Sequence, residues 1–134
     1  MTPLIDTNII SEFMRREPDA SVCAWASRQA GFRVSAITLE ELVFGLTHKS
    51  LSLKLQWLDE FLTAHVEILP VSAMIARKAG SLRGSLAMRG HTRHPSDMLI
   101  AATALVHGVP LATRNTADFS LCGITLINPF EPDA

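Results

Sequence analysis

Short apolar runs alternate along the chain with longer stretches in which apolar residues recur every three or four positions. The short runs predict buried strands, and the longer stretches predict amphipathic helices. The predicted strands are 3–5, 32–35, 66–69, 109–112 and 124–127, and helices occupy most of the chain between them. This alternation predicts right-handed β-α-β units, hence an α/β fold with a central parallel sheet of about five short strands and helices on both faces.

Local cap residues predict where several of these elements begin and end. The first strand is expected to be central in the sheet, because a terminal strand at an edge would fray. Thr38 and Glu41 fit a capping box at the start of the third helix. Ser96 is predicted to cap the last long helix, and Gly108 is predicted to stop it.

Composition limits the chain to one domain and excludes several classes of protein. The chain has 134 residues and 14.6 kDa, so we expect a single domain over 1–134 that is ordered over about 2–130. Apolar residues make up 48% and charged residues 19%, which excludes intrinsic disorder. The net charge of −1 gives no global basic field for nucleic acid. The mean hydropathy of +0.24 indicates excess apolar surface, which predicts a homodimer.

Several features predict a cytoplasmic protein without a membrane span. The sequence has no stretch of about 18 apolar residues. It opens Met-Thr-Pro-Leu-Ile-Asp, without the basic start that precedes the apolar run of a signal peptide. Cys23 and Cys122 lie far apart in a chain large enough to fold without disulfides, and buried free thiols are expected.

Acidic residues recur where the predicted strands end. Asp6 follows the first strand, Glu41 and Asp97 lie in the first turns of two predicted helices, and Asp118 comes shortly after the fourth strand. Because ligands bind at the carboxyl ends of parallel strands, these four side chains can all point to one edge of the sheet.

Each of these acids alone has a simpler explanation, as a helix cap, a partner for a helix dipole or a solvated turn residue. Together they are harder to dismiss, since Asp6 lies between Ile5 and Ile9, and Asp97 precedes the apolar segment 98–102. Carboxylates among apolar neighbours are costly unless they are paired or bind a metal. Oxygen ligands without histidine or thiol favour a hard cation, Mg²⁺ or Mn²⁺.

Four sequence blocks point to a known family. They are Leu-Ile-Asp-Thr-Asn-Ile-Ile-Ser-Glu at 4–12, Thr-Leu-Glu-Glu-Leu-Val-Phe-Gly at 38–45, Asp-Met-Leu-Ile-Ala-Ala-Thr-Ala at 97–104 and Thr-Arg-Asn-Thr-Ala-Asp-Phe at 113–119. In this order, and over nearly the whole chain, the blocks resemble those of PIN-domain ribonucleases. The closest likeness is to the toxins of VapBC-type toxin–antitoxin modules, in the FitB-like plasmid-stability branch.

The resemblance implies a function and a set of site residues. It implies Mg²⁺-dependent cleavage of RNA, a homodimer and a cognate antitoxin as partner. The implied catalytic and metal-binding acids are Asp6, Glu41 (rather than Glu40), Asp97 and Asp118. Thr113 and Asn115 are implied as polar supports, and Asn8 is implied to orient Asp6.

The residue types agree with hydrolysis of a phosphodiester. A bound divalent cation activates water and stabilises the leaving oxygen, and one or two cations serve this purpose. The sequence has no Ser–His or Cys–His arrangement for covalent catalysis and no Gly-rich phosphate loop.

A basic segment supplies a candidate RNA contact. Residues 68–96 contain five of the twelve basic residues and no acid. Arg83, Arg89 and Arg93 are candidates to bind RNA phosphates beside Asp97. The alternative is a solvated helix face.

Two other functions stay open at this point. One is a PIN-like module that binds RNA or protein without cleaving, which a metal-dependent cleavage assay would separate from the nuclease. The other is an aspartate-dependent phosphatase with Asp6 as nucleophile, in which a trapped acyl-phosphate would be diagnostic. Such phosphatases carry Asp-x-Asp after the first strand, whereas this chain has Asn8.

Overall fold

Five parallel strands form one sheet in a computed structural model that describes residues 1–132. Residues 133–134 of the predicted domain lie outside the described residues. The strands are β1 Leu4–Ile5, β2 Phe32–Ser35, β3 Val66–Leu69, β4 Leu111–Ala112 and β5 Leu126–Ile127. Their order in the sheet is β3-β2-β1-β4-β5, and every neighbouring pair is parallel. The predicted α/β fold and the central place of the first strand are confirmed.

The connections between these strands are helical. The helices are α1 Thr7–Phe13, α2 Ala20–Ser27, α3 Ala36–His48, α4 Ser52–His65, α5 Ala73–Met88 and α6 Pro95–His107. A short 3-10 helix, Thr116–Phe119, lies between β4 and β5. Among residues 1–132, no helix is both long and apolar enough to span a bilayer.

Alternation along the strands gives the sheet two buried faces. Leu4 and Leu111 point into a core that they share with α5 and α6. Their neighbours Ile5 and Ala112 point into a second core, which α1, α2, α3 and α4 cover. Successive side chains of a strand point to opposite faces of the sheet. Because both faces are buried here, both residues of each two-residue strand at the centre are apolar.

The strand order produces a crevice at the centre of the sheet. From β1 the chain builds outward through β2 and β3, and it then returns to place β4 on the other side of β1. Leu4 therefore pairs with Arg33 on one side and with Leu111 on the other. Ligands of open α/β sheets bind at such a reversal, outside the carboxyl ends of the strands. Asp6 and Thr113 directly follow β1 and β4.

The start of α3 differs from the prediction. The helix begins at Ala36, and its cap is Ser35, whose hydroxyl accepts a hydrogen bond from the Ile37 N–H at 3.1 Å. The capping box of Thr38 and Glu41 was wrong, because both residues already lie inside the helix. Glu41 is thereby free to point toward the crevice.

Other boundaries also differ. His94, not Ser96, caps α6, since its Nδ1 accepts a hydrogen bond from the Ser96 N–H at 3.3 Å. Gly108 ends this helix in the left-handed region, with φ of 64°, as predicted. The fourth and fifth strands are shorter than 109–112 and 124–127. Both cysteines are free thiols, but Cys23 is exposed and only Cys122 is buried.

Candidate active site

A cavity of about 580 Å³ opens at the crevice between the ends of β1 and β4. Three of the four predicted acids, Asp6, Glu41 and Asp97, line it. They come from three elements far apart in sequence: the turn after β1, the second turn of α3 and the first turn of α6. The other lining residues are Thr7, Asn8, Ser11, Glu12, Arg15, Arg114, Asn115 and Phe130.

Asp6 is buried and held by hydrogen bonds on both carboxylate oxygens. Its Oδ1 accepts from the Thr7 N–H at 2.8 Å, as the N-cap of α1. Its Oδ2 accepts from the Thr113 hydroxyl at 2.8 Å and from the Asn8 side-chain amide at 3.1 Å. Burial raises the pKa of Asp6, and these hydrogen bonds oppose the rise. The carboxylate is therefore fixed in one orientation.

The polar residues predicted to support Asp6 form a connected network. The Thr113 hydroxyl accepts the Asn115 backbone N–H at 3.0 Å, and the Asn8 side-chain oxygen accepts the Arg114 N–H at 3.0 Å. Asn8 thus ties α1 to the loop after β4 while it donates to Asp6. The bond from Asn115 comes from its backbone N–H, although Asn115 also lines the cavity.

Glu41 is held by a residue that the sequence interpretation passed over. The Thr7 hydroxyl donates to Glu41 Oε1 at 2.8 Å, and this bond joins α1 to α3 at the rim of the cavity. Thr7 lies between Asp6 and Asn8 in the first sequence block, and no role was predicted for its side chain. Glu41 is 34 residues away along the chain, so no local sequence pattern indicated this contact.

Asp97 contrasts with Asp6 because its carboxylate has no hydrogen-bond or ion-pair partner within residues 1–132. It is partly buried at the start of α6. Burial, followed by the negative charges of Asp6 and Asp118, raises the pKa of Asp97 to about 6. Glu41 contributes in the same direction, and His94 partly opposes the rise.

Asp118 lies nearby but outside the cavity lining. Its side chain is exposed on the short 3-10 helix. Its charge nevertheless contributes to the raised pKa values of both Asp6 and Asp97. The charges of the other three predicted acids therefore all act on Asp97, although Asp118 lies outside the cavity lining.

The chemistry of these donors fits a hard cation that keeps part of its water shell. In the part of the chain that the structure describes, no group of three or more His, Cys, Asp or Glu side chains is arranged to hold a metal ion. Mg²⁺ usually retains several waters and binds one or two carboxylates together with substrate phosphates. Asp6, fixed in orientation, and Asp97, with free oxygens, suit that mode of binding.

Two further charged residues line the cavity but are engaged elsewhere. Glu12 is buried, accepts the Asp19 N–H at 2.8 Å and pairs with Arg15 at 3.2 Å. These contacts fix the turn between α1 and α2. No role was predicted for Glu12, which is the last residue of the first sequence block.

The basic residues predicted to bind RNA lie outside the cavity lining. Arg83 and Arg89 are exposed. Arg93 donates through Nη2 to the Ser120 carbonyl at 3.3 Å and to the Ser120 hydroxyl at 3.2 Å, which ties the loop before α6 to the 3-10 segment. Their part in RNA affinity stays a prediction.

The chain is similar to several known bacterial proteins over almost its full length. The model of the PIN domain matches residues 4–121. VapC ribonuclease Y4jK of Sinorhizobium fredii is 35% identical, and plasmid stability protein StbB of Pseudomonas syringae pv. tomato is 37% identical. Toxin FitB of Neisseria gonorrhoeae is 32% identical. Each similarity covers 96% of this chain and 98% of the relative.

The chain is also similar in fold to solved structures of toxin–antitoxin proteins. The FitAcB structure from Neisseria gonorrhoeae superposes with a TM-score of 0.85 at 30% identity, covering 97% of this chain and 99% of the other. A toxin-antitoxin complex from Klebsiella pneumoniae has a TM-score of 0.73 at 28% identity, with 97% and 99% covered. The chain therefore belongs to the PIN-domain family, among the VapC-type toxins of the FitB-like branch.

Proposed function

We propose that this protein is a metal-dependent endoribonuclease that acts in the cytoplasm as the toxin of a type II toxin–antitoxin module. One observation carries the proposal: the unpartnered Asp97 carboxylate and the fixed Asp6 carboxylate line one cavity, and the charge of Asp6 contributes to the raised pKa of Asp97. Two close carboxylates with a raised pKa are unfavourable unless a cation joins them. The relatives named as ribonucleases supply the reaction class.

The cofactor we propose is Mg²⁺, with Mn²⁺ as a substitute. When bound, such a cation lowers the pKa of water and neutralises charge on the phosphate. The protein supplies position: Thr113 and Asn8 hold the Asp6 carboxylate in one orientation. Glu41, fixed by Thr7, closes the rim and limits where an incoming phosphodiester fits. Asp118 would add negative charge at the edge.

A cognate antitoxin is the proposed protein partner. Structural neighbours of this chain include a toxin-antitoxin complex and VapBC2 of Rickettsia felis bound to promoter DNA. Four converging acids attract a guanidinium as readily as a metal, so an antitoxin arginine is expected to occupy the cavity. Inhibition would then compete with Mg²⁺.

We also propose a homodimer. Large apolar side chains stay exposed on the single chain, including Phe44 at 65%, Leu53 at 81% and Met88 at 90%. Sedimentation of the purified protein without antitoxin should give a dimer at micromolar concentration. A monomer under those conditions would count against this part of the proposal.

The experiment that tests the nuclease compares purified proteins on a pool of cellular RNA. Wild type should cleave with Mg²⁺ or Mn²⁺ and not with chelator, and Asp97→Asn should not cleave under either condition. Asp59→Asn is the matched control, because Asp59 is an exposed acid on α4 outside the cavity. Metal-dependent binding of RNA without cleavage by wild type would instead favour the non-cleaving module.

A further inference from the structure

Arg114 is a cation on the wall of an acidic cavity that forms no salt bridge with any of the acids. It lines the cavity together with Asp6 and Asp97. The ion pairs among the described residues join Arg15 to Glu12 and Arg33 to Glu67, and neither includes Arg114. A long cationic side chain beside acidic side chains ordinarily pairs with them. Arg114 instead contacts an aromatic ring.

The contact that holds Arg114 is an aromatic ring. Its guanidinium carbon lies 4.4 Å from the centroid of the Phe130 ring, within the range of a cation–π interaction. Phe130 is itself anchored, since it packs against the core beneath α1 to α4 and its N–H donates to Asn128 Oδ1 at 3.1 Å. No hydrogen bond or ion pair within residues 1–132 engages the guanidinium N–H groups of Arg114, so they stay available.

The backbone of Arg114 is tied to the catalytic wall as well. Its N–H donates to Asn8 Oδ1 at 3.0 Å, and the amide of the same Asn8 donates to Asp6 at 3.1 Å. The Asn8 side chain thus contacts both the Asp6 carboxylate and the backbone of Arg114. It therefore fixes the position of Arg114 relative to Asp6.

We propose that Arg114 is the phosphate-binding residue of this cavity and grips non-bridging oxygens of the RNA phosphodiester that the acidic wall cleaves. The inference rests on the proposed nuclease function. A planar guanidinium matches two phosphate oxygens with two parallel N–H donors. The contact with the Phe130 ring restrains the guanidinium before the substrate arrives, so the arginine loses less freedom on binding.

The test measures steady-state cleavage of a single-stranded RNA by wild type, Arg114→Gln, Arg114→Lys and Phe130→Leu. Arg114→Gln should lower kcat/KM by about 10- to 100-fold, mainly through a higher KM, because it removes a charge-assisted contact to substrate. Arg114→Lys keeps the charge without the fork and should recover only part of this loss. Phe130→Leu should cause a smaller rise in KM.

Salt dependence separates a phosphate contact from a structural role. In the Asp97→Asn background, Arg114→Gln should reduce the slope of log affinity for RNA against log salt by about 0.7, the value for one phosphate on a single strand. The melting temperature should not change, since Arg114 is exposed and its backbone bond to Asn8 survives any side chain. Arg16→Gln, which removes an exposed charge outside the cavity, is the control for net charge.

The outcomes distinguish this inference from the function on which it rests. If wild type cleaves and Arg114→Gln keeps kcat/KM within twofold with an unchanged salt slope, Arg114 does not bind phosphate and the inference is overturned. It is also overturned if Arg16→Gln reduces the slope as much as Arg114→Gln. If wild type itself does not cleave RNA with any divalent cation, the proposed nuclease function is wrong, and the inference about Arg114 falls with it.

Discussion

Asp6 and Asp97 face the same cavity, but their surroundings differ. Asp6 is buried at the end of β1 and accepts hydrogen bonds from Thr7, Asn8 and Thr113. Asp97, at the start of α6, has no such partner among residues 1–132, and its pKa is about 6. A protein seldom leaves a partly buried carboxylate without a partner, because desolvation is costly. The Asp6 carboxylate is therefore fully engaged within the folded chain, whereas the Asp97 carboxylate keeps its oxygens free for a ligand.

Removing either carboxylate should have the largest effect. Asp97→Asn and Asp6→Asn should each abolish RNA cleavage and toxicity on induced expression, because the amide keeps the shape and loses the charge that holds the cation. Circular dichroism should show an intact fold in both variants. If Asp6→Asn stays fully toxic, the assignment of the metal site to this cavity is wrong.

Removing a hydrogen bond that holds the Asp6 carboxylate should have the next largest effect. Thr113→Val keeps the shape but removes the 2.8 Å hydrogen bond to Asp6 Oδ2. Loss of such a supporting bond typically costs about 10- to 100-fold in metal affinity or activity. The apparent affinity for Mn²⁺, measured from cleavage rates, should fall accordingly, and Thr113→Ser should restore it. Equal affinities for Thr113→Val and wild type would show that Asp6 needs no fixing.

The two outer acids should matter less. Glu41→Gln and Asp118→Asn should each weaken cleavage without abolishing it, and higher Mn²⁺ should rescue part of the loss. Glu41 lies in the cavity lining and Asp118 outside it, so Glu41→Gln should be the more damaging. Titration of the cleavage rate with Mn²⁺ checks both variants. A complete loss in Asp118→Asn that Mn²⁺ does not rescue would place Asp118 among the essential ligands.

The smallest effect concerns stability without metal. Because Asp97 holds its proton more tightly in the folded than in the unfolded chain, the stability of wild type should fall as pH rises from about 4 to about 6. The raised pKa corresponds to roughly 3 kcal/mol, which solvent screening reduces to about 1 to 2 kcal/mol at this partly exposed side chain. The penalty is absent below about pH 4 and complete above about pH 6.

Asp97→Asn lacks this penalty, so in chelator it should be more stable than wild type at pH 7 and equally stable at pH 4. Urea unfolding at the two pH values measures the difference. Millimolar Mn²⁺ should stabilise wild type, since it binds only the folded state, and should stabilise the variant much less. A variant that unfolds more easily than wild type at pH 7 in chelator would make Asp97 a structural residue.

Sequence alone predicted the fold because its signals are local. The apolar run before Asp6, the helix that stops at Gly108 and the alternation of elements each depend on neighbouring residues. The same local rules misplaced the start of α3. Thr38 and Glu41 have the spacing of a capping box, but that spacing also occurs inside a helix, where both residues lie. Ser35, three residues before Thr38, is the cap instead, because it is the last residue of β2 and the helix begins directly after it.

The candidate site was only partly predictable for the same reason. Acids at strand ends could be found because sheet topology brings such positions to one edge. The partner of Glu41 could not be predicted, since Thr7 meets it only after folding. The contact between Phe130 and Arg114 likewise forms only in the folded chain. The contrast between a fixed Asp6 and an unpartnered Asp97 likewise needed the three-dimensional arrangement.

Direct binding of Mn²⁺ tests the central claim, that Asp6 and Asp97 together hold a divalent cation for RNA cleavage. Calorimetric titration of Mn²⁺ into wild type, Asp97→Asn and Asp59→Asn at pH 7 compares the cavity with an exposed acid of the same kind. We predict equal affinity for wild type and Asp59→Asn and a much lower affinity for Asp97→Asn, with RNA cleavage by the first two proteins only. Equal binding by all three proteins, or cleavage by Asp97→Asn, would contradict the account.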